Sequence, residues 1–152
     1  MHQSTGIPEL DDVLGGGYPS GALTLISTGL STTRAEGYTL LLDYAIADDE
    51  RCVLVNNNPD RVTLARSFLD APEILFVNGW NRDGELCRTA IPTLRAYAPL
   101  TALVVLIHTV GAPLALNYEA EVHIQVNRLY DQLHLKTLKF RDGPQFEIPL
   151  WG

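Results

Sequence analysis

The chain has 152 residues, of which 46% are apolar and 19% charged, and it carries a net charge of −7. This length and composition are typical of one globular domain, which we place at residues 1–152. The longest apolar run, residues 102–107, is far too short to cross a bilayer, and the first residues lack a signal-peptide pattern. We therefore expect a cytoplasmic protein with no membrane partner.

The cysteines and the charge distribution exclude further classes. Cys52 and Cys87 are isolated from each other and from the histidines, so we predict neither a disulfide nor a metal site. Residues 1–70 contain ten acidic residues and four arginines, whereas residues 120–152 are balanced. Because an acidic half repels phosphate backbones, nonspecific nucleic-acid binding is disfavoured.

Strand and helix patterns alternate through the first two-thirds of the chain. Short apolar runs typical of buried strands occupy residues 22–26, 52–55, 74–77 and 102–107. Helical patterns cover residues 35–47, a segment starting near Asp60, and residues 83–97. This alternation predicts βαβ units, and hence a parallel sheet with helices on both faces.

The pattern changes after Pro113. Apolar and polar residues alternate over 122–127, which indicates a half-buried strand. Residues 134–141 and 146–150 are predicted to form two more strands, joined by a turn at 141–144. We therefore expect the parallel sheet to end in an antiparallel extension.

The most specific segment is residues 4–27, which read STGIPELDDVLGGGYPSGALTLIS. This stretch resembles the opening of RecA-superfamily ATPases, above all the KaiC/RadA-like branch, in which a similar stretch leads into the phosphate loop. The residues at 138–144 are similar to that family's terminal hairpin. The resemblance implies a RecA-like three-layer α/β/α fold with a mostly parallel sheet.

The phosphate loop of that family has the form G-x-x-G-x-G-K-[ST], and the matching residues here are 28–35, TGLSTTRA. The family's glycines let backbone N–H groups cradle phosphates, its lysine reaches the outer phosphates, and its hydroxyl holds Mg²⁺. Three of the glycines are replaced, the lysine position holds Arg34, and the hydroxyl position holds Ala35. The resemblance therefore implies a loop that no longer has the groups for holding phosphates and Mg²⁺.

The acidic residues of the family are replaced as well. Asn56 and Asn57 stand where the family has a pair of glutamates that orient water, and Asn78 stands at the Walker B aspartate. Phosphoryl transfer needs the lysine, the metal ligand and the carboxylates together. We therefore predict no enzyme activity, no catalytic residues, no cofactor and no metal. The vestigial pocket comprises Thr28, Ser31, Thr33, Arg34, Ala35, Asn56, Asn57 and Asn78.

The leading hypothesis for function is non-catalytic assembly or regulation, through contacts with itself or with a related RecA/KaiC-like protein. The chain would then resemble family members that keep the fold without its ATPase chemistry, such as SulA-type inhibitors, recombinase paralogues and Elongator accessory subunits. One alternative is a nucleic-acid-binding accessory subunit, and another is a passive nucleotide sensor anchored by Arg34. The candidate interaction residues are Trp80, Arg128, Lys136, Lys139, Arg141 and Trp151.

Other polar residues give weaker signals. His108 follows a buried strand and is interpreted as a strand-end histidine that bonds to the backbone. His123 and His134 are placed on different strand faces or turns, and Ser27 is assigned to the vestigial loop. On these placements, the sequence predicts no Ser/His/Asp arrangement of the kind used in nucleophilic catalysis.

Overall fold

The structure, a computed structural model, describes residues 2–28, 52–56, 71–78, 92, 95–108, 120–129, 132–141 and 143–150. The helices predicted at residues 35–47 and near Asp60 lie outside these ranges, as does most of the one predicted at 83–97. The described elements are β1 (His2–Gln3), α1 (Pro8–Leu14), β2 (Tyr18–Pro19), β3 (Leu23–Thr28), β4 (Cys52–Asn56), β5 (Ile74–Asn78), β6 (Ala102–His108), β7 (Ala120–Leu129), β8 (Gln132–Phe140) and β9 (Glu147–Leu150).

Helix α1 begins and ends where its sequence dictates. Pro8 occupies the first turn, where its missing N–H would have no helical partner and its fixed φ suits the helix. Gly15 ends the helix in the left-handed conformation, with φ 76°. Leu10 and Leu14 are buried, so this seven-residue helix is held by one apolar face.

Asp11 ties the segment before α1 to the helix itself. Its carboxylate accepts hydrogen bonds from the Ser4 hydroxyl at 2.5 Å and from the Thr5 backbone N–H at 2.7 Å. Its backbone carbonyl accepts another from the Gly16 N–H at 2.7 Å. One residue thus closes the loop on both sides of α1, which explains structurally why an aspartate stands at this point of the motif.

The glycine turn after α1 brings two backbone segments close together. Strands β1 and β2 pair antiparallel, with Gln3 opposite Tyr18. Gly17 immediately precedes this pair at φ 131°, and a Cβ there would overlap the Gln3 carbonyl. The third glycine of the run is therefore required by both its conformation and the space around it.

Seven strands form one sheet in the order β4-β5-β6-β3-β7-β8-β9. The pairs β4–β5, β5–β6, β6–β3 and β3–β7 are parallel, and β7–β8 and β8–β9 are antiparallel. The predictions of a mixed α/β fold and of a parallel sheet with an antiparallel end are confirmed. The four predicted core strands are present, each with the observed bounds within two residues of the expected ones.

Both faces of the central strands are buried. On one face, Ile26, Phe76 and Val104 pack in a cluster that also includes Leu10, Leu14 and Tyr18; we call this the α1 face. On the opposite face, which we call the second face, the buried residues are Leu25, Leu75, Val77, Leu103 and Val105. Because both faces are buried, the sequences of these strands are continuous apolar runs rather than alternating ones.

Strand β7 corrects the sequence prediction of a half-buried strand in the antiparallel part. It lies inside the sheet, parallel to β3 on one side and antiparallel to β8 on the other. His123, one of the polar residues of this alternating pattern, has only 7% of its surface exposed. The antiparallel extension therefore begins one strand later than expected, because β7 pairs in parallel with β3.

Two of the positive-φ glycines, Gly15 and Gly17, separate conformational strain from steric overlap. Replacing Gly15 by Ala meets no atom within 4 Å, so we expect a loss of about 1 kcal/mol from the left-handed backbone alone. Gly17→Ala adds overlap with backbone, and we expect a loss of about 3 kcal/mol or more. Urea unfolding of both variants measures the difference, and equal losses would contradict the close approach of β1.

Candidate functional site at the carboxyl edge of the sheet

The carboxyl ends of four parallel strands meet at one edge of the sheet. Asn56 at the end of β4 stands opposite Asn78 at the end of β5. Asn78 stands opposite Leu106 of β6, and His108, two residues further along β6, stands opposite Thr28 of β3. Ligand sites of α/β sheets form outside such carboxyl ends.

The strand order gives this edge a topological switch point between β3 and β6. The chain leaves β3 toward β4, which lies at the far side of the parallel strands. It leaves β6 in the other direction, toward β7 on the opposite side of β3. Because the connections that leave these adjacent strands run in opposite directions, a crevice is expected at their carboxyl ends, and Thr28 and His108 mark its position.

The residue types at this edge are poorly suited to phosphoryl transfer. Asparagine amides do not act as general bases, and they bind Mg²⁺ less strongly than carboxylates do. The last residues of the four strands are Thr28, Asn56, Asn78 and His108, so none of these described strand ends supplies a carboxylate. These four strand ends therefore carry hydroxyl, amide and imidazole residues.

Only part of the predicted vestigial pocket falls within the described residues. Thr28, Asn56 and Asn78 lie at the carboxyl edge, as expected for positions that flank one pocket. The other predicted pocket residues lie outside the described ranges, namely Ser31, Thr33, Arg34, Ala35 and Asn57. Among the candidate interaction residues, Trp80 and Trp151 also lie outside them.

A buried hydrogen bond joins β3 to β7 beside this edge. Ser27 Oγ and His123 Nε2 are 2.7 Å apart, and Ser27 has no exposed surface. Because the two strands are parallel, Gln125 is the register partner of Ser27, and His123 lies two residues before it on the same face. The assignment of Ser27 to the vestigial loop is therefore wrong, because Ser27 lies within β3.

The surroundings of His123 keep its imidazole neutral. Burial, together with the smaller effect of the nearby positive charge of Lys139, lowers the pKa of His123 from 6.5 to about 4. Lys139 is the cross-strand neighbour of His123 on β8. A neutral imidazole beside a serine hydroxyl is a pair used in nucleophilic catalysis, but such catalysis needs substrate access. With Ser27 fully buried, the pair stabilises the β3–β7 junction instead.

The histidine placement is corrected by the strand register. His134 stands opposite Asn127, and His123, Gln125 and Asn127 alternate along the same face of β7. Both histidines therefore lie on the second face, contrary to the prediction of different faces. His134 lies near Glu147 of β9, with 4.0 Å between Nδ1 and Oε1.

The four predicted basic contact residues do not form one patch. Arg128 follows Val126 on the α1 face, whereas Lys136 and Lys139 lie opposite Gln125 and His123 on the second face. The Arg141 guanidinium donates to Glu121 Oε1 at 3.1 Å. The cations are thus divided between two faces and interspersed with acids.

Two features, a cluster of metal-ligating side chains and a membrane-spanning helix, are absent from the described residues. Within the ranges that the structure describes, no three His, Cys, Asp or Glu side chains are grouped so that they would hold a metal ion. No helix in the same part of the chain is long and apolar enough to span a membrane.

Comparison with known proteins identifies no family for this chain. No protein-family model matches the chain, and no curated protein matches it. The functional interpretation therefore depends on the residues and on the sheet that positions them.

The buried Ser27–His123 pair predicts a loss of stability in mild acid. The folded-state pKa of His123, about 4, lies below the unfolded value of about 6.5, so the unfolded chain binds the extra proton first. The contribution of the neutral imidazole is fully present above pH ~6.5 and is lost as the pH falls toward about 4. Urea unfolding across this window should show a decline on the order of 3 kcal/mol.

His123→Gln removes the titrating group while keeping an amide that can bond to Ser27. We expect this variant to have a flatter pH dependence between pH ~4.5 and ~6.5 than the wild type. His134→Gln is the matched control, because His134 is more exposed and lies on the neighbouring strand. A wild-type slope that survives in His123→Gln and disappears in His134→Gln would contradict the assignment.

Proposed function

We propose that this chain is a RecA/KaiC-like domain with the three-layer α/β/α arrangement but without ATPase chemistry. Its function is to bind and assemble with a second copy of itself or with a related RecA/KaiC-like protein. The proposal extends the resemblance of residues 4–27 to the whole domain, and it assigns no catalytic residue, cofactor or metal.

One observation carries the proposal. Asn56 and Asn78 are direct register partners at the carboxyl edge of β4 and β5. These are positions at which the resemblance expects acidic residues, so the two amides replace carboxylates at neighbouring points of one edge. Because the strands fix the register at both positions, a sequence misalignment is a poor explanation for the substitutions.

The phosphate-loop residues support the same conclusion. Thr28 is the last residue of β3, so the loop that follows begins at the expected place beside the crevice. Along that loop, Arg34 and Ala35 replace the lysine and the hydroxyl that hold phosphate and Mg²⁺ in the family. The substitutions therefore remove every type of group on which the reaction depends.

The part of residues 4–27 that matches the family pattern has structural roles of its own. Asp11 closes the loop around α1, and Gly17 permits the approach of β1. Neither role involves a phosphate. A chain without ATPase chemistry can therefore still need residues 4–27 in order to fold. This supports the proposal that the domain is a scaffold used for assembly.

The division of the basic residues weakens the nucleic-acid alternative. A phosphate backbone is best followed by cations on one continuous surface. Arg128 lies on the α1 face, whereas Lys136 lies on the second face opposite Glu147. The net charge of −7 also opposes phosphate binding.

Nucleotide binding and turnover test the proposal. We expect no heat of binding, no rise in melting temperature and no hydrolysis with ATP, ADP or GTP, with or without Mg²⁺. The physical reason is the missing lysine, hydroxyl ligand and carboxylates. Calorimetry and a phosphate-release assay make these measurements, with a catalytically intact RecA-like ATPase as the positive control.

Arg34→Ala identifies any activity that belongs to this chain. Hydrolysis or magnesium-dependent binding that persists through purification and disappears in Arg34→Ala would overturn the proposal. Binding without hydrolysis, abolished by the same substitution, would favour the nucleotide-sensor alternative.

A further inference from the structure

We draw no further inference here: the strongest candidate, the exposed surface patch around Lys136 on the second face of strand β8, carries no proposal, because Glu147 lies opposite Lys136 on β9 and nothing in the structure shows what covers the patch.

Discussion

Strand β3 is the constraint on which the rest of the described structure depends. All six of its residues are buried, and it is paired in parallel on both sides, with β6 and with β7. A slip of one residue would exchange its α1 face, which includes Ile26, with its second face, which includes Leu25. The alignment of the strand ends and the hydrogen bond from Ser27 to His123 both follow from this fixed register.

The amino end of β3 is secured by the same residues that carry the family resemblance. Asp11 and the glycine turn hold α1 and β2 in place, and Tyr18 packs edge to face on Phe76 with ring centroids 6.3 Å apart. Burial raises the pKa of Tyr18, so its hydroxyl stays protonated in the core. These contacts depend only on packing and hydrogen bonding, so they secure β3 whatever residues stand at the carboxyl edge.

The outer strand of the sheet has a feature that discourages strand addition. Thr137 N–H donates to the Phe146 carbonyl, so the His134–Pro149 pair is a non-hydrogen-bonded pair and the Pro149 nitrogen faces away from β8. That outward position lacks an N–H, which limits pairing with another chain along β9. Extension of the sheet at this edge is therefore disfavoured.

The sequence by itself determined the four buried strands, the antiparallel end and the amides at Asn56 and Asn78, because apolar period and residue identity are local properties. Only the tertiary structure decided that β7 lies beside β3, which buries His123 against Ser27. It also separated Arg128 from Lys136, which lie on opposite faces of the sheet. Strand order and register depend on contacts between residues distant in the chain, and no local pattern specifies them.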